Sequence, residues 1–349
     1  MRSIEGVIQG STVFVEFSGG CDSSLVLATA TDVCRRLGAP DPVPLTYRFS
    51  GADGSDEQEY QELVVRSLGL RDWEIVDFGS DGDCLGPGAQ ASLHTTGLVW
   101  PATLHFRAGV YAGLGPGLLL TGEGGDEVLG LRRSSWLAEA ARYVLRGRRV
   151  PPRGTTRQAM RSLAPHALRR RWATNEIDAA YGADWLHADL RRDLVARAAA
   201  LAAEEPLSAA DWGPYHLSMP RVWIGDHNVR AFAAAHGLRY EAPLMAPDFL
   251  AAVADQVPWW EFRGRDILLR HHFADVLPAA ILERRTKSVF NEAYFGRHTR
   301  AFAARWDGTG LPEGVDARWL KDHWAGTGAI HAGTSMLLHQ AWLATEARA

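Results

Sequence analysis

The sequence predicts an α/β protein in which a parallel sheet, formed by the first 130 residues, is wrapped by a C-terminal helical region. Two patterns support this fold class. Short β-branched and aromatic segments alternate with segments of helical periodicity up to residue 130. Beyond that residue, alanine, leucine, arginine and tryptophan dominate, and strand patterns disappear. Because strands that alternate with helices pair in parallel, the sheet should be covered on both faces.

Four strands are predicted in the first part of the chain, at residues 12–17, 43–49, 73–78 and 117–121. Helices are predicted between them, at residues 22–37, 56–69 and 101–113. The first of these helices has apolar residues at helical spacing and ends before Gly38, with Pro40 beyond it. Residues 79–97 are rich in glycine, aspartate and serine, which favours a loop.

The second part of the chain predicts helices without strands. Those of residues 131–205 are interrupted at Gly147, Pro151-Pro152 and Pro165, and further prolines punctuate residues 206–349. Internal repeats and low-complexity linkers are absent from the sequence. We therefore expect a nucleotide-binding core at 1–130 and a helical region at 131–349 that completes the same site, as one integrated domain.

Composition limits the classes of function. The chain has 349 residues and a net charge of -4, which argues against a general polyanion binder. Its three cysteines, Cys21, Cys34 and Cys84, lack metal-ligand spacing and fit a reducing compartment. The sequence has neither an apolar signal region at its start nor an uncharged stretch long enough to span a bilayer. A cytoplasmic protein without membrane contacts is expected.

The first chemical motif follows the first strand and reads Ser18-Gly19-Gly20-Cys21-Asp22-Ser23-Ser24. Glycine has no Cβ, so the backbone can close tightly on a phosphate, and the following helix directs its N–H groups and positive dipole end towards that anion. The hydroxyls of Ser18, Ser23 and Ser24 add donors, and a carboxylate at Asp22 beside a polyphosphate suits Mg²⁺. The alternative interpretation is an ordinary glycine turn.

The second motif follows the fourth strand and reads Thr121-Gly122-Glu123-Gly124-Gly125-Asp126-Glu127. It supplies carboxylates at the same predicted sheet edge as the first motif, where one can bind a metal and another can accept a proton. The alternative interpretation is a solvated acidic loop.

Together the two motifs resemble the synthetase domain of asparagine synthetases and their lactam-forming relatives, within the ATP pyrophosphatase (PP-loop) superfamily. The resemblance implies an adenine nucleotide α-hydrolase-like core, with ATP and Mg²⁺ as cofactors. It places the pyrophosphate in the first motif, and the adenine and ribose beside Leu45, Thr46 and Tyr47. Gly122 would join the nucleotide-binding residues.

The same resemblance assigns roles to residues in the second motif and further along the chain. Asp126 would be the second Mg²⁺ ligand beside Asp22, and Glu123 would help to take the proton from the attacking amine. Residues 277–287, Leu-Pro-Ala-Ala-Ile-Leu-Glu-Arg-Arg-Thr-Lys, are similar to the family's C-terminal stretch. That stretch ends in a lysine above the α-phosphate, which corresponds to Lys287, one of only two lysines here.

The sequence departs from the family pattern at three places, which bear on the substrate and on the source of nitrogen. Arg2 stands where a glutaminase domain would have its cysteine, so we expect no glutaminase domain and an amine from ammonia, a partner or the substrate itself. Glu241-Ala242-Pro243-Leu244-Met245-Ala246 replaces the Arg-x-Pro-Phe-Leu-Asp of enzymes that recognise aspartate, although Arg239 lies close in sequence. Arg265-Asp266 replaces a usual lysine.

The C-terminal part looks more like lasso-peptide cyclases than housekeeping asparagine synthetases. The expected protein is an AMP-forming carbon–nitrogen ligase that activates a small-molecule or peptide carboxylate. The candidate partners are a separate glutaminase and a precursor-peptide-binding protein. The alternatives are a stand-alone asparagine synthetase, a non-catalytic nucleotide-binding subunit and an RNA-modifying PP-loop enzyme.

Residues 132–171 are dense in arginine and form either a solvated face or a groove for an acidic peptide, a partner or RNA. Aromatic residues are sparse in this segment, which argues against binding of nucleic acid.

Overall fold

The computed structural model describes residues 2–8, 10–50, 57–145, 151–181, 183–256, 265–284, 291–326 and 331–348. The described strands are β1 (Val13–Glu16), β2 (Val43–Arg48), β3 (Glu74–Asp77), β4 (Gly117–Leu120) and β5 (Leu238–Glu241). The described helices are α1 (Arg2–Glu5), α2 (Cys21–Arg36), α3 (Gln58–Leu68), α4 (Pro87–Thr96), α5 (Leu104–Leu114), α6 (Gly125–Leu129), α7 (Arg133–Leu145), α8 (Arg153–Leu163), α9 (His166–Tyr181), α10 (Ala188–Ala203), α11 (Ala209–Leu217), α12 (Pro220–Ala235), α13 (Pro247–Gln256), α14 (Arg265–His272), α15 (Ala279–Glu283), α16 (Asn291–Tyr294), α17 (Arg297–Arg305), α18 (Ala317–Ala325) and α19 (Ser335–Glu346). Short 3₁₀ turns occupy Pro243–Met245 and Ala332–Thr334.

The five strands form one sheet in the order β3-β2-β1-β4-β5, and every neighbouring pair is parallel. Side chains of the inner strands are removed from solvent, as Val15, Leu45 and Leu119 show with 0% exposure. Full burial on both faces is the environment in which short, continuously apolar strands are stable. The predicted parallel α/β core is therefore confirmed.

Two predicted features are wrong. The loop predicted at 79–97 contains α4, which begins at Pro87 and buries Ala89 and Leu93 on one face. Proline at the first helical position has its φ preset for a helix, and the Gly- and Ser-rich composition concealed this start. The prediction that no strand follows residue 130 is wrong at β5, where buried Leu238 and Tyr240 alternate with exposed Arg239. Four residues are too few to establish an alternating pattern.

The chain divides into two compact units. The first comprises Met1–Gly122, Trp223–Pro243 and Val276–Ala349, and it contains the whole sheet. The second comprises Glu123–Val222 and Leu244–Asp275, and helices dominate its described residues. The predicted arrangement of a core at 1–130 and a helical region at 131–349 stays a prediction.

The C-terminal helices belong to the unit that holds the sheet. Three of their tryptophans, Trp306, Trp324 and Trp342, are at most 2% exposed, and the Trp306 and Trp324 rings lie 5.2 Å apart. Burial of such large side chains supplies much of the apolar area that stabilises a unit of this kind. Among the described helices, none has the length and apolar character needed to cross a membrane.

Candidate active site

The first motif and the start of the second, at Thr121 and Gly122, follow the two strands at which the strand order of the sheet reverses. The chain runs from β1 outward to β2 and β3 on one side, whereas β4 and β5 extend the sheet on the other. In parallel α/β sheets, ligands bind beyond the carboxyl ends of the two strands at such a switch point. Here those strands are β1 and β4, which lead into Ser18–Ser24 and into Gly122 respectively.

The phosphate loop, defined as Ser18–Gly20, has the backbone geometry that the sequence predicts. Gly19 adopts a φ of +86°, a region that L side chains rarely enter, and Gly20 is the N-cap of α2. Ser23 in the first turn ties the loop together: its Oγ accepts the Ser18 N–H at 3.2 Å and lies 3.1 Å from the Ser18 Oγ. The N-terminus of a sixteen-residue helix is thereby presented next to the loop, as an anion site requires.

The second motif touches the first at Gly122. A Cβ added at Gly122 would lie 2.7 Å from the Ser23 nitrogen and 2.9 Å from the Asp22 carbonyl carbon. Glycine is therefore required here by a close approach of two backbones. The end of β4 is also fixed to β5, because the Thr121 N–H donates to the Glu241 carbonyl at 3.1 Å. The end of β4 at Gly122 and the start of α2, about a hundred residues apart in sequence, therefore meet within the unit that holds the sheet.

The remaining residues of the first motif have different environments. Asp22 lies in the first turn of α2 and is partly exposed, which suits a carboxylate that faces a metal and phosphates. Ser24 is completely buried, and its Oγ has no hydrogen-bond partner in the part of the chain that the structure describes. Its predicted role as a phosphate donor remains a prediction, because a fully buried hydroxyl must be uncovered before it can contact a ligand.

The predicted adenine-side residues are held inside the sheet unit. Leu45 and Thr46 are both 0% exposed. The Thr46 hydroxyl donates to the Phe17 carbonyl at 2.9 Å and accepts from the Trp73 indole at 2.9 Å. Neither residue exposes surface that a nucleotide could contact, so their predicted role beside the adenine and ribose stays a prediction.

Tyr47 belongs to a buried polar network that sequence reasoning missed. The Tyr47 hydroxyl donates to Glu16 at 2.7 Å, the Tyr111 hydroxyl does so at 2.9 Å, and Arg107 lies 3.3 Å from the same carboxylate. Burial raises the pKa of both phenols well above their usual value, so they remain donors. An acidic residue in an apolar strand directly before the phosphate loop, Glu16, is the signal that could have revealed it.

The carboxylates of the second motif belong to the second unit. Glu123 is exposed, and Gly124 adopts a φ of +85° before α6 begins. Asp126 is 58% exposed and forms an ion pair with Arg265, the residue that stands where the family has a lysine. Bound Mg²⁺ would therefore compete with this guanidinium for Asp126.

The described residues contain no cluster of three or more His, Cys, Asp or Glu side chains arranged to hold a metal ion. This is compatible with Mg²⁺ bound by one or two carboxylates together with substrate phosphates. Asp22 and Asp126 accordingly stay predicted ligands. Lys287 lies outside the described residues, whereas Arg284, three positions before it, lies within them.

The arginine-rich segment forms a groove within the second unit. Its volume is about 700 Å³, and α8 and α9 supply most of its lining residues, which are Pro151, Arg153, Thr156, Arg157, Met160, Arg161, Trp172, Asn175 and Glu176. Arg161 pairs with Glu176 at 2.5 Å and lies 5.1 Å from the centre of the Trp172 ring. Both interpretations from the sequence, a solvated face and a groove for an acidic peptide, remain open.

The fold and the geometry of the two motifs define an α/β nucleotide-binding protein with a PP-loop core. The family model described as asparagine synthase matches residues 7–318, and the chain therefore belongs to the asparagine synthase family. No curated protein matches this chain. The predicted family and fold class are confirmed, and membership implies ATP-dependent amide-forming ligase activity. Kinship with β-lactam synthetases or lasso-peptide cyclases stays a prediction.

Proposed function

We propose that this protein is an AMP- and pyrophosphate-forming carbon–nitrogen ligase. A substrate carboxylate attacks the α-phosphorus of ATP, pyrophosphate leaves, and an acyl-adenylate forms. An amine or ammonia then attacks the acyl carbon, AMP leaves, and the amine loses a proton. The observation that supports this proposal is the close approach of Gly122, at the start of the second motif, to the N-terminus of α2 at the sheet's switch point.

The residues fit this chemistry in roles that follow from their charges. The phosphate loop and the α2 N-terminus would hold the leaving pyrophosphate, and Mg²⁺ between Asp22 and Asp126 would neutralise charge on the phosphate oxygens. Glu123 would accept the amine proton, and the Lys287 ammonium would stabilise negative charge on the reacting phosphate. Holding the amine against the acyl-adenylate would remove on the order of 7–11 kcal/mol of entropic barrier.

The substrate proposed is a specialised amide or lactam precursor, such as a peptide carboxylate, rather than free aspartate. Glu241 occupies the position of the family's aspartate-binding arginine, and its carboxylate lies 3.3 Å from Arg230. Arg239 does not restore the lost charge, since its guanidinium donates to the Val7 carbonyl. An anionic residue in place of a cationic one disfavours the α-carboxylate of aspartate.

The proposed source of nitrogen is an amine on the substrate, free ammonia or a partner glutaminase. A peptide substrate would bring its own amine and yield a macrolactam. A precursor-peptide-binding partner would deliver such a peptide, and an acidic segment of it would match the arginines of the groove between α8 and α9. The product separates a substrate amine, which gives a lactam or substituted amide, from ammonia, which gives a primary amide whether it is free or supplied by a glutaminase.

The decisive experiment identifies the nucleotide products. Purified protein with ATP, Mg²⁺ and candidate carboxylates should release AMP and pyrophosphate in equal amounts. ADP with inorganic phosphate would overturn the adenylation chemistry, and nucleotide binding without turnover across a broad set of acids and amines would favour a non-catalytic subunit. Co-purification of tRNA would favour an RNA-modifying enzyme, and robust conversion of aspartate with ammonia would favour a stand-alone asparagine synthetase.

A further inference from the structure

Two side chains, Gln61 and Arg284, donate hydrogen bonds to carbonyls of the phosphate loop, and a third, Glu57, pairs with Arg284. Gln61 donates its amide N–H to the Ser18 carbonyl at 3.1 Å, and Arg284 donates from Nη1 to the Gly19 carbonyl at 3.1 Å. Arg284 also donates to both carboxylate oxygens of Glu57, at 2.8 and 2.7 Å. We call Glu57, Gln61 and Arg284 the loop clamp.

The two charged groups of the clamp are almost completely buried. The side chains of Arg284 and Glu57 are each only 5% exposed, and the Arg284 guanidinium lies 4.1 Å from the centre of the Tyr60 ring. The hydrogen bonds to Glu57 raise the pKa of Arg284, so the guanidinium remains charged. Buried ion pairs contribute little net stability compared with apolar residues, so stability alone is a poor explanation for this one.

The geometry of the peptide bond links the clamp to phosphate binding. A trans peptide is planar, and its carbonyl and N–H point in opposite directions. Holding the Ser18 carbonyl therefore orients the Gly19 N–H, and holding the Gly19 carbonyl orients the Gly20 N–H. Glycines restrict the rotation of these peptide planes less than other residues do, and apart from the clamp the Gly20 N–H donates to the Ser18 Oγ at 3.3 Å. The φ of +86° at Gly19 places the backbone in a region that glycine tolerates.

We propose that Glu57, Gln61 and Arg284 are positioning residues that hold the Gly19 and Gly20 peptide planes in the orientation that binds pyrophosphate. This inference rests on the proposed function, because it assumes that the loop binds the phosphates of ATP. The clamp acts through the backbone and touches neither ATP nor the reacting atoms. It explains why the first turn of α3 and the end of α15, 227 residues apart at Glu57 and Arg284, converge on one loop.

The test is binding of inorganic pyrophosphate with Mg²⁺, measured by calorimetry on the full chain. Gln61→Leu removes a neutral donor, and Arg284→Lys retains the charge but loses the forked geometry. Each should weaken pyrophosphate binding by about tenfold, which corresponds to ~1.4 kcal/mol. Glu57→Gln is the sharpest variant, since removal of a nearby negative charge should strengthen anion binding by simple electrostatics, whereas loss of the clamp should weaken it.

The matched control is Arg35→Lys. Arg35 forms an equally forked pair with Asp41, at 2.8 Å to each oxygen, but this pair is on the surface with side chains 49% and 37% exposed. This control should bind pyrophosphate as the unaltered protein does. Folding of every variant is checked by thermal unfolding, and binding is measured well below each midpoint, so that a merely structural role would leave the affinity of the folded protein unchanged.

The outcomes separate the two proposals. Unaltered protein that binds no pyrophosphate would overturn the proposed function, and the clamp with it. Unaltered protein that binds, together with folded Gln61→Leu and Glu57→Gln variants of equal affinity, would overturn the clamp alone. If Arg284→Lys fails to fold, Gln61→Leu decides, because it introduces no unpaired buried charge.

Discussion

Substitution of Gly122 by alanine tests the contact on which the site depends. The new Cβ would lie 2.7 Å from the Ser23 nitrogen, 2.9 Å from the Asp22 carbonyl carbon and 3.0 Å from the Ser23 Cα. All three are backbone atoms, so no flexible side chain can move aside. The start of α2 and the end of β4 must separate by several tenths of an ångström before these contacts reach ordinary van der Waals distances.

Overpacking of this kind costs about 1–3 kcal/mol, which lowers the midpoint of thermal unfolding by roughly 1–4 °C in a chain of this length. The same displacement moves the α2 N-terminus away from the second motif. We therefore expect AMP formation to fall by at least tenfold at temperatures where the variant is fully folded, since a small misplacement of reacting groups costs about a hundredfold in rate. Calorimetric unfolding and an assay of released AMP measure the two effects separately.

Gly113→Ala is the matched control for this substitution. Gly113 lies in α5, and a Cβ there would meet nothing within 4 Å. Alanine in a helix interior is favoured over glycine by about 1 kcal/mol, so the control should be slightly stabilised and fully active. If Gly122→Ala unfolds at the same temperature as the control and forms AMP at an undiminished rate, the inferred contact between the two motifs is refuted.

Further predictions concern charge and pH. Asp126→Asn should abolish AMP formation with little effect on unfolding, because the Asp126 side chain is 58% exposed. The control is Asp193→Asn, which should remain active; Asp193 is 56% exposed and pairs with Arg197 at 2.8 Å. Equal rates of AMP formation in the two variants would remove Asp126 from the site. Lys287→Ala should likewise abolish turnover, whereas alanine at the other lysine, Lys321, should not, as measured by release of pyrophosphate. Burial lowers the pKa of His105 to about 4 and of His339 to about 3, so the folded protein binds fewer protons than the unfolded chain and unfolding free energy should fall as pH drops from about 6.5 to 4. Each imidazole contributes up to ~1.4 kcal/mol per pH unit, so His339→Gln should flatten this slope in denaturant titrations, and an unchanged slope would contradict the assignment.

The positions of the first four strands along the chain and of the loop after the first of them were predictable because their signals are local. A β-branched segment, a glycine pair and a helix with its own periodicity stand within 25 residues of one another at Thr12–Arg36, and each constrains only nearby dihedral angles. The helix at Pro87–Thr96 and the strand at Leu238–Glu241 were missed, since a proline start inside a glycine-rich segment and a four-residue strand carry too little periodic signal.

The candidate site was predictable only as a set of motifs. Thr46 was predicted to lie beside the nucleotide, yet its hydroxyl is engaged by Phe17 and Trp73, which are distant from it in sequence. The clamp residues gave no signal at all, because neither an isolated glutamate before a helix nor an arginine after one indicates a partner.

The sequence by itself determined that this chain forms a parallel α/β core with an anion-binding loop and belongs to the asparagine synthase family, because strand, turn and helix preferences act between neighbouring residues. The tertiary structure alone decided that Gly122 presses against the start of α2, that Glu241 has Arg230 as its partner, and that Arg284 holds the Gly19 carbonyl. These contacts join residues far apart in the chain, and their formation depends on the packing of whole elements, which no local pattern encodes.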